Sequence, residues 1–488
     1  MIRRILSLAL VGLLALAIFA ACQSSAPTLS PTAAPAEAIP VATESSPTAA
    51  AVSSPAPTDT VAAPATPTES SQAQATVSAP ASAAVQIALA DDAITVDGDG
   101  VTVNGNVATI ARAGVYSLSG ALSDGQIVVD TTDEGPVQLI LDGVKLANSS
   151  SAPLFIAAAE QVEIVLADGT TNTLTDGATY IFADPEEDEP NGALFSKADL
   201  TISGNGALVV TGNYEDGIVS KDGLVIAGGD ITVTAAEDAL HSNDSLTIDG
   251  GQLTLASGDD AIHAENTLTI NDGEIRITES VEGIESILIT INGGVIDLVS
   301  SDDGINAAGN DNGGNQLFIH GGDIAVNAAG DGIDVNGSIE MTGGVVIVNG
   351  PTENMNGALD FDATFDISGG FLAAAGSVGM AQAPSASSSQ RSLMLNFPSM
   401  LPAGTIVHIQ TGSGDSLLTF APLKAFQSLV FSSPALVQGD AIEIYYGGSA
   451  SDRLDSGLYQ GAYTPGEQVA SFTVSDVVTV IGNRPRFR

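Results

Sequence analysis

The chain has 488 residues, with 58 Asp and Glu against 13 Lys and Arg, a net charge of -45, no Trp and one Cys. That balance repels polyphosphate and excludes nucleic-acid binding, which rests on neutralising phosphates with Lys and Arg. A single cysteine excludes an intramolecular disulfide scaffold.

Residues 1–21 read as an export signal: Arg3 and Arg4 supply the charged start, Ile5 to Phe19 the apolar run, and Ala20-Ala21 the small residues before Cys22. The run is short for a membrane span and no charged stop follows it. The ending resembles the small-small-Cys lipobox of bacterial lipoproteins, with Phe19 where leucine is more usual. The resemblance implies cleavage before Cys22, lipidation of Cys22, and a membrane-anchored protein on the extracellular face. Residues 22–85 are almost all Ala, Ser, Thr, Pro and Val. Such a segment cannot bury a core, and its prolines make it an extended spacer.

Between residues 213 and 348 one phrase recurs. Tyr214-Glu-Asp-Gly-Ile218 leads to Leu224-Val-Ile226, Gly228-Gly229 and Ile231-Thr-Val233; Glu237-Asp-Ala-Leu-His241 leads to Leu246-Thr-Ile248 and Gly250-Gly251. The acids at 216, 238, 260, 282, 303 and 331 are separated by 22, 22, 22, 21 and 28 residues. A period near 22 with brief alternating strands is too short for helix pairs and predicts an all-β chain, a parallel β-helix of three strands per coil. The β-helix is expected over 86–382, interrupted by an acidic loop at 183–191. Residues 383–488, with strands such as Thr405-Ile-Val-His-Ile409, are expected to form a β-rich cap over an otherwise exposed solenoid end, the alternative being a small separate β-domain.

Stacked coils place equivalent residues about 4.8 Å apart. Asp238, Asp260, Glu282 and Asp303 should then form a vertical row, with Glu237, Asp259 and Asp302 beside it. Adjacent unit charges at that spacing repel by roughly 1 to 3.5 kcal/mol per pair, which favours an intervening cation. All-oxygen donors point to Ca²⁺ rather than zinc or copper. The alternative for any single rung is turn chemistry, an Asp hydrogen-bonding its own backbone. Three residues beyond each acid lies an outward column: Val219, His241, His263, Glu285, Asn306 and Asp334. His241 and His263 are candidates for a sugar hydroxyl or a transition metal, the alternative being polar shielding of the turn. Lys197 and Lys221 occupy equivalent Ser-Lys positions and could contact substrate or only form salt bridges.

The phrases Asp259-Asp-Ala-Ile-His263, Glu282-Gly-Ile-Glu285 and Asp302-Asp-Gly-Ile-Asn306 are joined by Asp168-Gly-Thr-Thr-Asn-Thr-Leu174 and Ala470-Ser-Phe-Thr-Val474. Together they resemble the bacterial carbohydrate-binding β-helix family, similar in fold to pectate lyases. The resemblance implies a right-handed β-helix that binds calcium and plant-wall polysaccharide, cellulose or acidic sugars such as polygalacturonate, without established cleavage. The family's site residues carry over to Asp259, Asp260, His263, Glu282, Glu285, Asp302, Asp303 and Asn306, with His263 expected on the substrate side and the oxygen donors, Asp238 with them, on the metal. The coil of Asp331 departs from the phrase, with a single acid and Asp334 in place of the polar Asn.

Without Trp, recognition of sugar must be mainly polar, and an acidic face holds an anionic polysaccharide through bridging cations. The sequence therefore points to calcium-dependent polysaccharide binding. A calcium-dependent lyase, with Lys197, Lys221 or Arg276 as base, and a structural stalk or adhesin are the alternatives.

Overall fold

The computed structural model describes residues 84–482 except 92, 183, 185, 187 and 310–313. The expected signal at 1–21, Cys22 and the spacer up to residue 83 lie outside the described residues. Among the described residues there are strands, turns and no α-helix.

One coil shows how the sequence makes the fold. Asp216–Ser220, Leu224–Ile226 and Asp230–Ala235 are three strands on three faces, joined by tight corners. The next coil repeats them as Leu240–Ser242, Ser245–Ile248 and Gln252–Ala256, each paired in parallel with its predecessor: Ile218 with Leu240, Leu224 with Leu246, Ile231 with Leu253. The corners are tight because the second glycine of a Gly-Gly pair takes positive φ, 98° at Gly251, a conformation costly for any side chain. About 11 turns stack in this way.

Alternation sends every second residue inward, and like stacks on like. Leu194, Ile218, Leu240, Ile262, Ile284, Ile305 and Ile333 form one interior column with no solvent exposure. Burying each such side chain contributes about 1.5–3 kcal/mol, realised only when the neighbouring coil is in place. The parallel β-helix expected from the period is therefore what the chain forms.

Both ends break the parallel rule. Val85–Asp91 folds back antiparallel on Ala93–Asp97 while pairing in parallel with Gly114–Leu122. At the other end Phe371–Gly376 pairs antiparallel with Phe426–Ser432, which in turn pairs with Ser392–Leu401. A second core results, in which Ile347, Ala373 and Ala375 of the solenoid pack with Leu393, Phe420, Leu429 and Phe431 of the cap. The apolar sheet edge expected to need a cover is thus paired and buried.

Gly304 reports how closely the coils approach. A Cβ there would lie 2.5 Å from the carbonyl oxygen of Gly332 in the next coil and 2.4 Å from Val326 Cγ1. Ala239 and Ala261 hold the corresponding turn position in earlier coils and are fully buried. Gly304→Ala should therefore destabilise the fold by about 1–3 kcal/mol, read as a lower urea midpoint with the slope unchanged.

Candidate metal centre

From Asp216 to Asp331 each coil enters one face through an acid, a small residue and an aliphatic residue, as in Asp260-Ala261-Ile262. The aliphatic side chain points inward, so the next residue points out. Strand register places Phe155, Phe195, Val219, His241, His263, Glu285, Asn306, Asp334 and Asp360 in one outer column. The acids preceding it form an adjacent row, and backbone amides use one oxygen of several of them. Asp216 Oδ1 accepts the amide of Asp238 at 3.0 Å, Asp238 Oδ1 that of Asp260 at 2.9 Å, and Asp303 Oδ1 that of Asp331 at 2.6 Å. Asp331 Oδ1 accepts the amide of Gly357. Turn chemistry is thus present, and it occupies only half of each carboxylate.

The second oxygens meet the outer column. Asp238 Oδ2 lies 3.0 Å from His241 Nδ1 and 3.2 Å from His263 Nδ1, and the two imidazoles stack with centroids 4.8 Å apart. Three groups bring donor atoms within 4.8 Å of one another: Asp238, His241 and His263; Asp260, His263 and Glu285; Asp303, Asp331 and Asp334. Between the last two groups Asn306 Nδ2 donates to Glu282 Oε2 at 2.6 Å. Asn306 is only 7% exposed, and its Oδ1 is buried without a hydrogen-bond partner among the described residues. An orphaned acceptor in an acidic row costs about 1–3 kcal/mol unless a cation or donor meets it.

Electrostatics follow from burial and repetition. Burial, together with the charges of Asp238 and Glu282, pushes the Asp260 carboxyl up to about 7 despite its bond with Glu285. Burial raises Glu282 and Glu285 to about 7 as well, with added repulsion from Glu285 and Asp260 respectively. Asp303 and Asp334 reach about 7 and Asp331 about 6, through burial and then neighbouring acids. Asp238 is the exception: burial pushes it up, but hydrogen bonds from His241 and His263 outweigh this and hold it well below the usual carboxylate range. Reciprocally, burial would lower His263, yet its bond to Asp238 and the surrounding acids raise it to about 9.

The remaining predicted positions separate from this centre. Asp259 and Asp302 are exposed at the corner and belong to none of the three convergent groups among the described residues. Lys197 and Lys221 both bind Glu189 of the acidic loop, each at 2.9 Å. Beyond Val219 the column ends in an aromatic cluster, where Tyr180 stacks on Tyr214 at 4.3 Å and Phe182 packs against both. This cluster joins Phe155, Phe195 and Val219. Asp331 and Asp334, outside the set carried over by resemblance, lie in the all-carboxylate group. Asp334 was visible in the column spacing, but the 28-residue step before its coil obscured its partners.

A family profile described as carbohydrate-binding domain-containing protein matches residues 104–349, just over half of the chain. The chain belongs to this family. The matched carbohydrate-binding domain contains all three convergent groups. A carbohydrate-binding domain-containing protein of Acetivibrio thermocellus is 46% identical over 137 residues, which cover 28% of this chain and 48% of that protein. The match thus spans about half the length of that curated relative. A solved structure, a gadolinium derivative of the polysaccharide lyase-like protein from C. thermocellum, is 30% identical with a TM-score of 0.40, covering 58% of this chain and 97% of that one.

Proposed function

We propose that this carbohydrate-binding domain protein is a surface-anchored, calcium-dependent binder of acidic plant-wall polysaccharide, polygalacturonate above all and cellulose as a second target. The observation that carries the reading is the oxygen-only stretch from Glu282 to Asp334, where raised carboxylates flank the orphaned Asn306 Oδ1. Hard oxygen donors in number suit Ca²⁺, which takes six to eight of them. Asp303, Asp331 and Asp334 would hold one ion, and Glu282, Glu285 and Asn306 are the donors for another. Bound calcium supplies positive charge that a uronate carboxylate can share. The protein residues supply the rigid spacing, since parallel pairing sets Glu285 against Asn306 and Asn306 against Asp334. Lipidation at Cys22 and the spacer that follows would carry the domain away from the membrane on the extracellular face.

The test is sedimentation of the full chain with insoluble polygalacturonate or cellulose, in calcium or in chelator, with ultraviolet absorbance following unsaturated products. Pelleting with polygalacturonate in calcium, its loss in chelator, and no product are expected. Asp303→Asn combined with Asp334→Asn should weaken pelleting at least about tenfold, since two ligands of one ion lose their charge. Binding indifferent to chelator would overturn the calcium reading. Accumulating product would replace it with a lyase, and no binding in either condition with a stalk.

A further inference from the structure

We propose a second cation site of different chemistry at Asp238, His241 and His263, taking a borderline transition-metal ion, with Zn²⁺ as the probe, in preference to Ca²⁺. The site arises from the repeat itself. The inner row remains acidic from Asp216 to Asp331, so the chemistry of each rung is set by the outer column, which is imidazole at 241 and 263 and oxygen from 285 onward. Two nitrogen donors and one carboxylate form a ligand set for zinc, whereas calcium discriminates against nitrogen.

The geometry supports this assignment. His241 Nδ1 and His263 Nδ1 both face Asp238 Oδ2, at 3.0 and 3.2 Å, and the three donor atoms lie within 4.8 Å of one another. Tetrahedral bonds of about 2.0–2.2 Å place ligand atoms roughly 3.3–3.6 Å apart, so small side-chain movements suffice. Parallel pairing already fixes the two rings, Leu240 to Ile262 and His241 to His263. His241 Nε2 is buried and has no hydrogen-bond partner among the described residues, so every polar interaction of that ring falls to Nδ1. Asp216 Oδ2, 3.6 Å from His241 Nδ1, and Asp260 Oδ2, 3.5 Å from His263 Nδ1, surround the group with further negative charge. Three protein ligands leave a fourth position for water or a sugar oxygen.

The experiment is calorimetric titration of ZnCl₂ into the full chain held in excess calcium. One equivalent is expected to bind, with His241→Gln and His263→Gln each weakening it at least about tenfold, while Asp334→Asn leaves it intact. A second measurement needs no variant: diethyl pyrocarbonate labelling of the native chain, read by mass spectrometry. Zinc should protect His263, the more accessible of the two rings, whereas the exposed His320 stays reactive. Loss of zinc heat in calcium, unchanged binding in the His variants, or equal labelling of His263 with and without zinc would each overturn the site. Zinc binding and calcium-dependent pelleting are separate readouts, so either proposal can fail alone.

Discussion

In chelator, the melting temperature of the chain is expected to fall as pH rises from 5 to 8, and calcium is expected to remove most of that fall. Asp260, Glu282, Glu285, Asp303 and Asp334 are pushed up to about 7 and Asp331 to about 6 when folded. Their unfolded values are those of ordinary carboxylates, near 4. Between these limits the folded state binds more protons than the unfolded one. The associated stability is full below about pH 4 and is lost as pH rises through 7. His263, raised to about 9, acts in the same direction at higher pH, its contribution disappearing as pH passes from its ordinary value through 9. Asp238 acts oppositely, but only in strong acid, where its depressed carboxyl finally protonates. The proposed calcium would compete with protons for the same oxygens, so its stabilisation should grow with pH, reaching about 2.7 kcal/mol per site at a hundredfold excess over Kd. Scanning calorimetry at several pH values, with calcium or chelator, gives both slopes. A metal-free melting temperature that rises steadily from pH 5 to 8 would contradict the assigned burial of this row.

The second large effect is expected at Asp238→Asn. The carboxylate receives the amide of Asp260 on Oδ1 and both imidazoles on Oδ2. Asparagine can keep the amide contact but not the charge, and removing one member of a buried ion pair costs about 3–5 kcal/mol. Part is offset, because Asp216 and Asp260 lose a repelling neighbour and their carboxyls should fall. The penalty is confined to the window in which the pair is charged, above the ordinary Asp range and below about 9, where His263 titrates. Melting in chelator at pH 6 should drop clearly, and the difference from the parent should shrink above pH 9. An NMR titration of His263 provides a sharper reading: without Asp238, burial dominates and its pKa should fall to or below the ordinary histidine value. A value still near 9 would show that other acids supply the shift.

The coils were legible because their physics is local. A 22-residue period, alternation within each strand and glycine at each corner together determine which residues share a column, as with His241, His263, Glu285, Asn306 and Asp334. What lay outside the period was not legible. Glu189 belongs to an insertion, so nothing in the repeat indicates that it reaches both Lys197 and Lys221. Tyr180 and Phe182 come from the same excursion, which is why stacking on Tyr214 had no signature in the repeat. The cap depends on antiparallel partners far apart in sequence, Phe371–Gly376 with Phe426–Ser432, and β-propensity alone does not select such pairs. Within the site, spacing placed the acids in a row but could not reveal that backbone amides occupy one oxygen of Asp216, Asp238, Asp303 and Asp331.

The stacked acids also make this face of the solenoid a linear polyelectrolyte. Two unit charges in water have an interaction energy equal to RT at roughly 7 Å, and the rungs are spaced at about 4.8 Å, closer than that thermal distance. Rungs so spaced cannot titrate as independent acids. A divalent ion captured between Asp303 and Asp334, as proposed, would make the potential at Glu282 less negative, drawing off its proton while weakening the row's pull on a second dication. Filling should therefore spread over a broad range of calcium concentration, with the rungs farthest apart filling first. The occupied face then presents alternating charge at a fixed pitch, and a polyanion lying along it would meet the cations in register.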